Sequence, residues 1–370
     1  MTVPFIDLGR VMAPFSEDMK AAALRVLGHR QFILGKEVEA FEAACSQALD
    51  GHHVIGMSSG TDALLAGLMA LGVGHGDRVV TTPFSFFATA GTISRLGAVP
   101  VFCDIEPVNF GLDPQKVALT ERRGVKAIVP VHLYGHVMDM TSLIAAMPGI
   151  PILEDAAQAI GARDAFGRVA GELTAAAAWS FFPTKNLGAA GDAGMASTKD
   201  PAMADLLRMI RTHGQTAQYA HRLVGGNFRL DALQAAILGA GLPHLNTMNA
   251  TRRVNARRYE ERIRARGIDA DRVVLPQIHE GHSVHQYVVR VKRGRRDLVQ
   301  SSMKAKGVGT MVYYPIPFHL QECFANLGYR KGDFPEAELA AHEVLALPVF
   351  PGLTESEHNE VVDALVAALA

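Results

Sequence analysis

The stretch SFFPTKNLGAAGDAGM, residues 180–195, places one lysine between an apolar run and a glycine-rich run. Lys185 follows AAAWSFF at 176–182, a pattern typical of a buried strand. A lysine beside a buried strand end is partly desolvated, which lowers its pKa and makes its amine a nucleophile. The alternative is a surface lysine whose aliphatic stem covers apolar groups. The three glycines after it permit a close approach of two backbone segments or a positive φ.

Short apolar runs recur along the first half of the chain, and helical patterns fill the gaps between them. Their starts lie roughly 20 to 28 residues apart, as strand–helix–strand units require. The runs are HVIG (53–56), RVVTTPF (78–84), VPVFCDI (99–105), AIVPVHLY (127–134), PILED (151–155) and AAAWSFF (176–182). This rhythm predicts an α/β fold with a mainly parallel sheet flanked by helices on both faces.

The rhythm changes after Arg229. LDALQAAILGA and the arginine-rich stretch 249–266 have long helical patterns, whereas HQYVVRVK at 285–292 alternates like a strand. We therefore predict a large domain over residues 1–245, with an N-terminal arm, and a smaller C-terminal α+β domain over 246–370. The last helix has Thr354 and Glu357 in the spacing of a capping box.

Length and composition exclude several classes of protein. A chain of 370 residues has enough volume to bury a cleft. The 36 Lys and Arg residues balance 37 Asp and Glu residues, so no net field attracts nucleic acid or an anionic membrane. No signal segment or membrane-spanning run is evident, and the three cysteines lack the spacing of a zinc or redox motif. We expect a soluble cytoplasmic protein with reduced thiols.

Ligands of parallel α/β sheets bind at the carboxyl ends of the strands. After the first predicted strand, Gly60 and Thr61 open a helix in GMSSGTDALL. The free N–H groups and positive dipole end of such a helix can hold a phosphate. An ordinary N-cap is the alternative.

A second strand end carries two adjacent carboxylates, Glu154 and Asp155, in PILEDAAQAIGA. Successive strand residues point to opposite faces, so the two cannot act together as an acid–base pair, and one of them faces the cleft. A buried carboxylate needs a cationic or N–H partner, and a protonated ring nitrogen would be one. The alternative is an aspartate that caps the next helix.

Three other motifs suggest different chemistry. Gly56 to Gly60 match G-x-S-x-G with Ser58 as a hydrolase nucleophile, but no HGGG-like oxyanion loop and no Asp-then-His order accompany it. GVGHGD at 72–77 leads from a helix into a strand, the wrong end for dinucleotide binding. His132 and His136 have an H-x-x-x-H spacing that runs off a strand, so we expect no metal site.

The helix start, the strand-end aspartate and the strand-end lysine together fit one cofactor, pyridoxal 5′-phosphate. Its phosphate, ring nitrogen and aldehyde need these three groups respectively. Phe86, in PFSFFATA after the second strand, offers an aromatic ring to cover the cofactor.

At these residues the chain resembles the sugar-nucleotide aminotransferases of the DegT/DnrJ/EryC1/StrS group, which have the aspartate aminotransferase fold, called fold type I. The likeness covers essentially the whole chain. The motifs are PFIDL, FILGKEVEAFE, SSGTDAL, EDAAQAIGA, SFFPTKNLGAAGDAG, GNFRLDALQAAIL, YYPIPFHLQ and FPEAELAAHEVLALPVFPGLTE.

The resemblance implies a role for each cofactor residue. Lys185 would bind the cofactor covalently, Asp155 would pair with the pyridine nitrogen, Gln158 would lie beside the ring hydroxyl, and Phe86 would stack on the ring. Phosphate contacts would come from Gly60, Thr61 and Ser180. Asn227 would reach in from a second subunit, which implies a homodimer with shared active sites.

The resemblance also implies the reaction. An amino donor, usually L-glutamate in this family, would supply the amino group for a keto sugar linked to UDP or dTDP, in amino-sugar biosynthesis. The FILG motif resembles enzymes that act at carbon 3 of the hexose, and substrate contacts would come from Arg229, Tyr314 and His319. Lys185 argues against the related sugar dehydratases, which have histidine there. A non-catalytic regulator of the same fold is the alternative.

Overall fold

The structure is a computed structural model that describes residues 2–369. Seven strands of one large sheet lie within residues 53–198. They are β1 His53–Met57, β2 Arg78–Thr81, β3 Val99–Phe102, β4 Val125–Val129, β5 Leu153–Asp155, β6 Ala176–Ser180 and β7 Gly194–Thr198. The first six match the predicted apolar runs. The seventh was not predicted, because its sequence GMAST has only Thr198 among the β-branched and aromatic residues typical of strands.

The seven strands lie side by side in the order β1-β7-β6-β5-β4-β2-β3. Strand β2 pairs with β3 and β4 in parallel, and β5 pairs with β6 in parallel. Parallel bridges, Ile128 to Ile152 and Val131 to Asp155, connect β4 to β5. Strand β7 lies antiparallel between β1 and β6. The prediction of a mainly parallel α/β sheet is confirmed.

The α-helices within residues 8–241 include those that cover both faces of this sheet. They are α1 Leu8–Met12, α2 Ser16–His29, α3 Lys36–Ala48, α4 Gly60–Ala70, α5 Ala88–Arg95, α6 Pro114–Ala118, α7 Met140–Ala146, α8 Pro201–Arg211 and α9 Ala232–Gly241. Alternation along β6 decides which helix each side chain meets: Ala176 and Ala178 lie in one core with α4 and α8, while Ala177 and Trp179 lie in another with α3 and α9. A short hairpin follows, with strands β8 Gln215–Ala217 and β9 Ala220–His221.

The rest of the chain forms a three-stranded antiparallel sheet, in the order β10-β11-β12, with helices around it. The elements are α10 Leu245–Ala265, β10 Val273–Val274, β11 Tyr287–Val291, α11 Arg296–Ala305, α12 Pro335–Glu343, β12 Val344–Leu347 and α13 Glu355–Leu369. The division of the chain after residue 245 stays a prediction. The predicted division falls at the start of α10.

No helix among residues 2–369 is long and apolar enough to cross a membrane.

The N-terminal arm packs into the C-terminal core. Val3, Val11 and Phe15 are buried there, and Val3 forms a parallel bridge with Val308. At the start of α13, Thr354 N–H donates to Glu357 Oε2 at 2.8 Å, which confirms the predicted capping box.

The arm is tied to this helix by a charge-assisted contact. Arg10 donates to both carboxylate oxygens of Glu357, at 2.8 and 2.9 Å. The Arg10 guanidinium, together with the N–H and hydroxyl of Thr354, lowers the pKa of Glu357 to about 2.

We predict that Glu357→Gln lowers the free energy of unfolding by about 2 kcal/mol at pH 7. A carboxylate with a lowered pKa stabilises the fold above its unfolded pKa, and this stability is lost as pH falls through about 4.5 toward about 2. Urea unfolding should therefore show that the difference between the two proteins at pH 3 is less than about half of its value at pH 7. Glu360→Gln, on the exposed side of the same helix, is the matched control. An equal loss in both variants would contradict the role of Arg10.

Candidate active site

One large cavity, of about 660 Å³, opens at the carboxyl ends of the parallel strands. It is bordered by the start of α4, the loops after β2 and β5, the end of β6, and a segment over residues 312–321. Eight of the sequence-predicted residues line it: Gly60, Thr61, Phe86, Asp155, Gln158, Ser180, Lys185 and Tyr314. The rule that ligands bind at strand ends pointed to Gly60, Thr61, Asp155 and Lys185, whereas Gln158, Ser180 and Tyr314 were implied by the family resemblance.

Two glycines bring the start of α4 against the sheet. A Cβ added to Gly60 would lie 2.7 Å from Ser180 Cβ, and one added to Gly194 would lie 2.3 Å from the Ser59 carbonyl carbon. Neither glycine has a positive φ, so close approach is what each of them provides. The result is a narrow cradle of backbone N–H groups and hydroxyls at the positive end of a helix, suited to a phosphate.

Ser58 does not line the cavity. Its hydroxyl donates to Asp62 Oδ2 at 2.6 Å, one turn along the helix. The G-x-S-x-G motif thus forms a helix start, with Ser59 as the N-cap that accepts from Asp62 N–H. The hydrolase alternative has no support in this geometry.

Asp155 ends β5 with its carboxylate in the cavity. Its Oδ2 accepts a 2.7 Å hydrogen bond from the Thr89 hydroxyl, and its Oδ1 accepts from Ala157 N–H at 3.2 Å. Burial raises the pKa of Asp155, while these hydrogen bonds and the charge of Lys185 oppose the rise. Because Thr89 donates to the carboxylate, its oxygen accepts the proton of Ser85, 3.0 Å away.

Glu154 points to the opposite face of the sheet, as strand alternation predicts. His132 Nε2 lies 2.6 Å from its carboxylate, and Gly171 N–H donates to it at 3.0 Å. His136 instead lies 3.2 Å from His279. The two histidines of the H-x-x-x-H motif are therefore held by different partners.

Lys185 extends into the cavity from the loop between β6 and β7. Burial lowers the pKa of Lys185 to about 8, and attraction to Asp155 limits the shift. A useful fraction of this amine is thus unprotonated near neutral pH.

Gln158 is fixed on two sides, because its Oε1 accepts from Tyr134 N–H at 2.7 Å and its Nε2 donates to the Tyr314 hydroxyl at 3.1 Å. Phe86, 57% exposed, lies at the rim with its ring centroid 6.4 Å from that of Tyr314.

Three predicted residues lie outside this cavity. Asn227 is exposed and pairs with Thr212 in an antiparallel bridge. Arg229 bridges Met57 and keeps a buried Nε that finds no hydrogen-bond partner in the part of the chain that the structure describes. His319 is buried, with Nε2 3.0 Å from Glu338.

Sequence reasoning missed the cavity residues His285, Gln286 and Tyr313, and it missed Thr89, which donates to Asp155. Thr89 stands one helical turn after Ser85 in the quoted PFSFFATA motif, so a search for hydroxyls near the aspartate would have found it. His285 and Gln286 immediately precede β11. Nothing local in their sequence indicates that the C-terminal sheet meets this cavity.

The cofactor that the sequence suggested needs partners for a ring nitrogen, a phosphate and an aldehyde. No ion pair within the described residues neutralises the buried carboxylate of Asp155, so a cationic ring nitrogen would find a partner there. The cradle at Gly60 suits a phosphate, and Lys185 supplies an amine in the same cavity. These residues fit pyridoxal phosphate, and with the mainly parallel α/β sheet they define a fold type I enzyme that uses this cofactor.

Comparison with known proteins agrees with this class. A sequence model of the DegT/DnrJ/EryC1/StrS aminotransferase family matches residues 15–366, and the chain belongs to this family. It is an aminotransferase.

Three individual proteins illustrate the likeness. The chain is 46% identical over 99% of its length to the "Pleiotropic regulatory protein" of Geobacillus stearothermophilus, covering 98% of that protein. It is 41% identical over 98% of its length to the "UDP-2-acetamido-2-deoxy-3-oxo-D-glucuronate aminotransferase" of Pseudomonas aeruginosa, covering 99% of that protein. The crystal structure of ntda from Bacillus subtilis, with bound cofactor PMP, superposes with a TM-score of 0.92 at 32% identity, covering 99% of this chain and 85% of that one.

We predict that Lys185→Met stabilises the cofactor-free protein by about 2 kcal/mol at pH 7. A lysine whose pKa is lowered from 10.5 to about 8 destabilises the fold below about pH 8, and this cost disappears as pH rises toward 10.5. Urea unfolding at pH 7 and pH 10 should show the difference narrowing to less than half. The exposed Lys331→Met is the control. A difference independent of pH would show that the amine is not desolvated.

Proposed function

We propose that the protein transfers an amino group from L-glutamate to a keto group at carbon 3 of a nucleotide-linked sugar. The observation that carries this proposal is the cavity shared by Lys185, Asp155 and the Gly60 cradle. The choice of carbon 3 is supported by a relative, 41% identical to this chain, whose name describes an aminotransferase for a 3-oxo sugar nucleotide. The size of the cavity, about 660 Å³, supports a substrate as large as a sugar in addition to the cofactor.

One group of residues would hold the cofactor, and Lys185 would transfer protons. Pyridoxal phosphate, when bound, supplies an aldehyde that exchanges amino groups and a ring that withdraws electrons from the reacting carbon. Gly60, Thr61 and Ser180 would hold its phosphate, and Asp155 would keep its ring nitrogen protonated. Gln158, itself fixed by Tyr134 and Tyr314, would orient the ring from one edge.

Lys185 would act as the base and acid of the reaction. Its amine has a pKa of about 8, so near neutral pH it is present in both protonation states. It can therefore accept a proton from the substrate carbon and return it to a neighbouring atom. Asp155 favours the charged form of the amine by attraction, which keeps the pKa from falling further.

We also propose a homodimer in the cytoplasm. Asn227 is exposed and lies outside this chain's cavity, which leaves it free to reach the cavity of a second copy. Cys45, Cys103 and Cys323 are free thiols, and the first two are buried, as suits a reducing compartment. Arg229 and His319 remain proposed substrate contacts.

We predict that Asp155→Asn slows the reaction with L-glutamate by roughly 100-fold while cofactor remains bound. The amide keeps the shape of the carboxylate but cannot stabilise a protonated ring nitrogen. Stopped-flow absorbance of the cofactor band measures the rate, and the bound cofactor is quantified after release. Glu154→Gln, on the opposite face of the same strand, is the matched control and should keep the rate. Loss of cofactor without loss of rate per bound cofactor would contradict the role of Asp155.

The substrate is tested with a panel. Protein treated with L-glutamate should aminate UDP- or dTDP-linked 3-keto sugars at least about tenfold faster than the corresponding 4-keto sugars, measured by chromatography of the products. The same panel without the nucleotide tests whether the nucleotide is required. A preference for the 4-keto sugars would overturn the assignment to carbon 3.

The second candidate function is a non-catalytic regulator, because the Geobacillus stearothermophilus relative is named a regulatory protein. Such a protein would show the cofactor band, yet L-glutamate would leave its absorbance unchanged.

A further inference from the structure

A buried cation lies next to the cavity, and the proposed mechanism does not use it. Arg252 belongs to α10 and is only 2% exposed. Burial alone lowers its pKa, to about 10, so the guanidinium still carries its charge at neutral pH. No acidic side chain within residues 2–369 forms an ion pair with it.

The hydrogen bonds of Arg252 do not compensate this charge. Its Nη1 donates to the carbonyl oxygens of Val284 at 3.4 Å and His285 at 3.2 Å. Its Nε is buried, with no partner in the described part of the chain. Neutral carbonyls satisfy only some of the five N–H groups of a guanidinium, and an uncompensated buried charge is strongly unfavourable. An anion from outside the chain would correct this.

A small pocket of about 60 Å³ lies between Arg252 and the main cavity. Phe5, Ile6, Val349 and Phe350 form its apolar wall. Four further residues line both the pocket and the main cavity: Thr184, His285, Gln286 and Tyr313. The pocket therefore adjoins the cavity beside Lys185, the residue after Thr184.

The charge environment of His285 supports the same arrangement. Burial holds the pKa of His285 well below its usual value, and the positive charges of Lys185 and Arg252 lower it further. The imidazole is thus neutral and lies close enough to both cations to feel them. A ligand anchored near Lys185 can meet Arg252 by extending past His285.

The size of the pocket decides which group can enter. Its volume of about 60 Å³ is about a tenth of the 660 Å³ of the main cavity. A carboxylate fits, whereas a hexose or a nucleotide does not. An apolar wall with one cation at its end suits an aliphatic side chain that terminates in a carboxylate.

We propose that this pocket binds the side-chain carboxylate of the amino donor, with Arg252 as its cation. The inference rests on the proposed function, because it requires an acidic amino acid as donor. It explains how one cavity would accept two unlike substrates: the sugar would occupy the main cavity, and the donor would extend a short charged side chain into the pocket.

The test compares L-glutamate with L-glutamine, which has the same shape but a neutral side chain. Each amino acid is mixed with the cofactor-loaded protein, and absorbance of the cofactor band gives the limiting rate and the apparent dissociation constant. Wild-type protein should favour glutamate. Arg252→Met should reduce the glutamate-to-glutamine preference by about tenfold or more, through the dissociation constant of glutamate rather than its limiting rate. Arg252→Lys should restore part of the preference.

Two further variants control for misfolding. Arg258→Met removes an exposed charge from the same helix and should leave the preference unchanged. Ile6→Glu keeps Arg252 and places a carboxylate beside it, so the buried positive charge is compensated. This variant should lose the preference for glutamate over glutamine, because the pocket is already occupied by an anion.

Equal reaction of wild-type protein with both amino acids, or equal effects of Arg252→Met and Arg258→Met, would overturn the pocket but not the aminotransferase. Absence of any spectral change with either amino acid would overturn the proposed function as well.

Discussion

The buried carboxylate of Asp155 is the charge around which the cavity is organised. It stands at the end of β5, where burial works against its ionised form, and hydrogen bonds from Thr89 and Ala157 and the charge of Lys185 support it. Because the carboxylate lacks an ion-paired partner in the described chain, the site is complementary to a cationic ring placed against it. The desolvation that raises the pKa of this acid also lowers the pKa of Lys185. Partial removal from solvent thus prepares a carboxylate and an amine for two different tasks.

The sheet makes this environment possible by close packing at its carboxyl edge. The helix start at Gly60 touches Ser180, and Gly194 on the next strand makes room for the Ser59 backbone. Two side chains larger than hydrogen would force these segments apart, because the added atoms would overlap backbone and Cβ atoms. A phosphate site at a helix start therefore depends on glycines that are distant in sequence and adjacent in space.

The C-terminal part borders the cavity and places one cation in the adjoining small pocket. Residues just before β11 supply His285 and Gln286, while α10 supplies Arg252. The N-terminal arm contributes Phe5 and Ile6 to the small pocket, and its neighbours pack into the C-terminal core. Chain segments from both ends thus meet beside Lys185. The PFIDL motif, which by itself indicated no chemistry, forms a wall of the pocket that we assign to the amino donor.

The sequence by itself determined six of the seven large-sheet strands, the family, the cofactor and the strand-end residues Asp155 and Lys185. The strands and the strand-end residues follow from local rules, because apolar periodicity marks strands and parallel strands present their carboxyl ends at one edge. The family follows from the resemblance of whole motifs. Tertiary structure decided the rest. It placed β7 antiparallel in the sheet, showed that Gly60 and Gly194 serve close approach, and brought Arg252 beside the cavity. It also placed Asn227, Arg229 and His319 outside this chain's cavity. Such contacts join residues far apart in the chain, and only packing determines which of them meet.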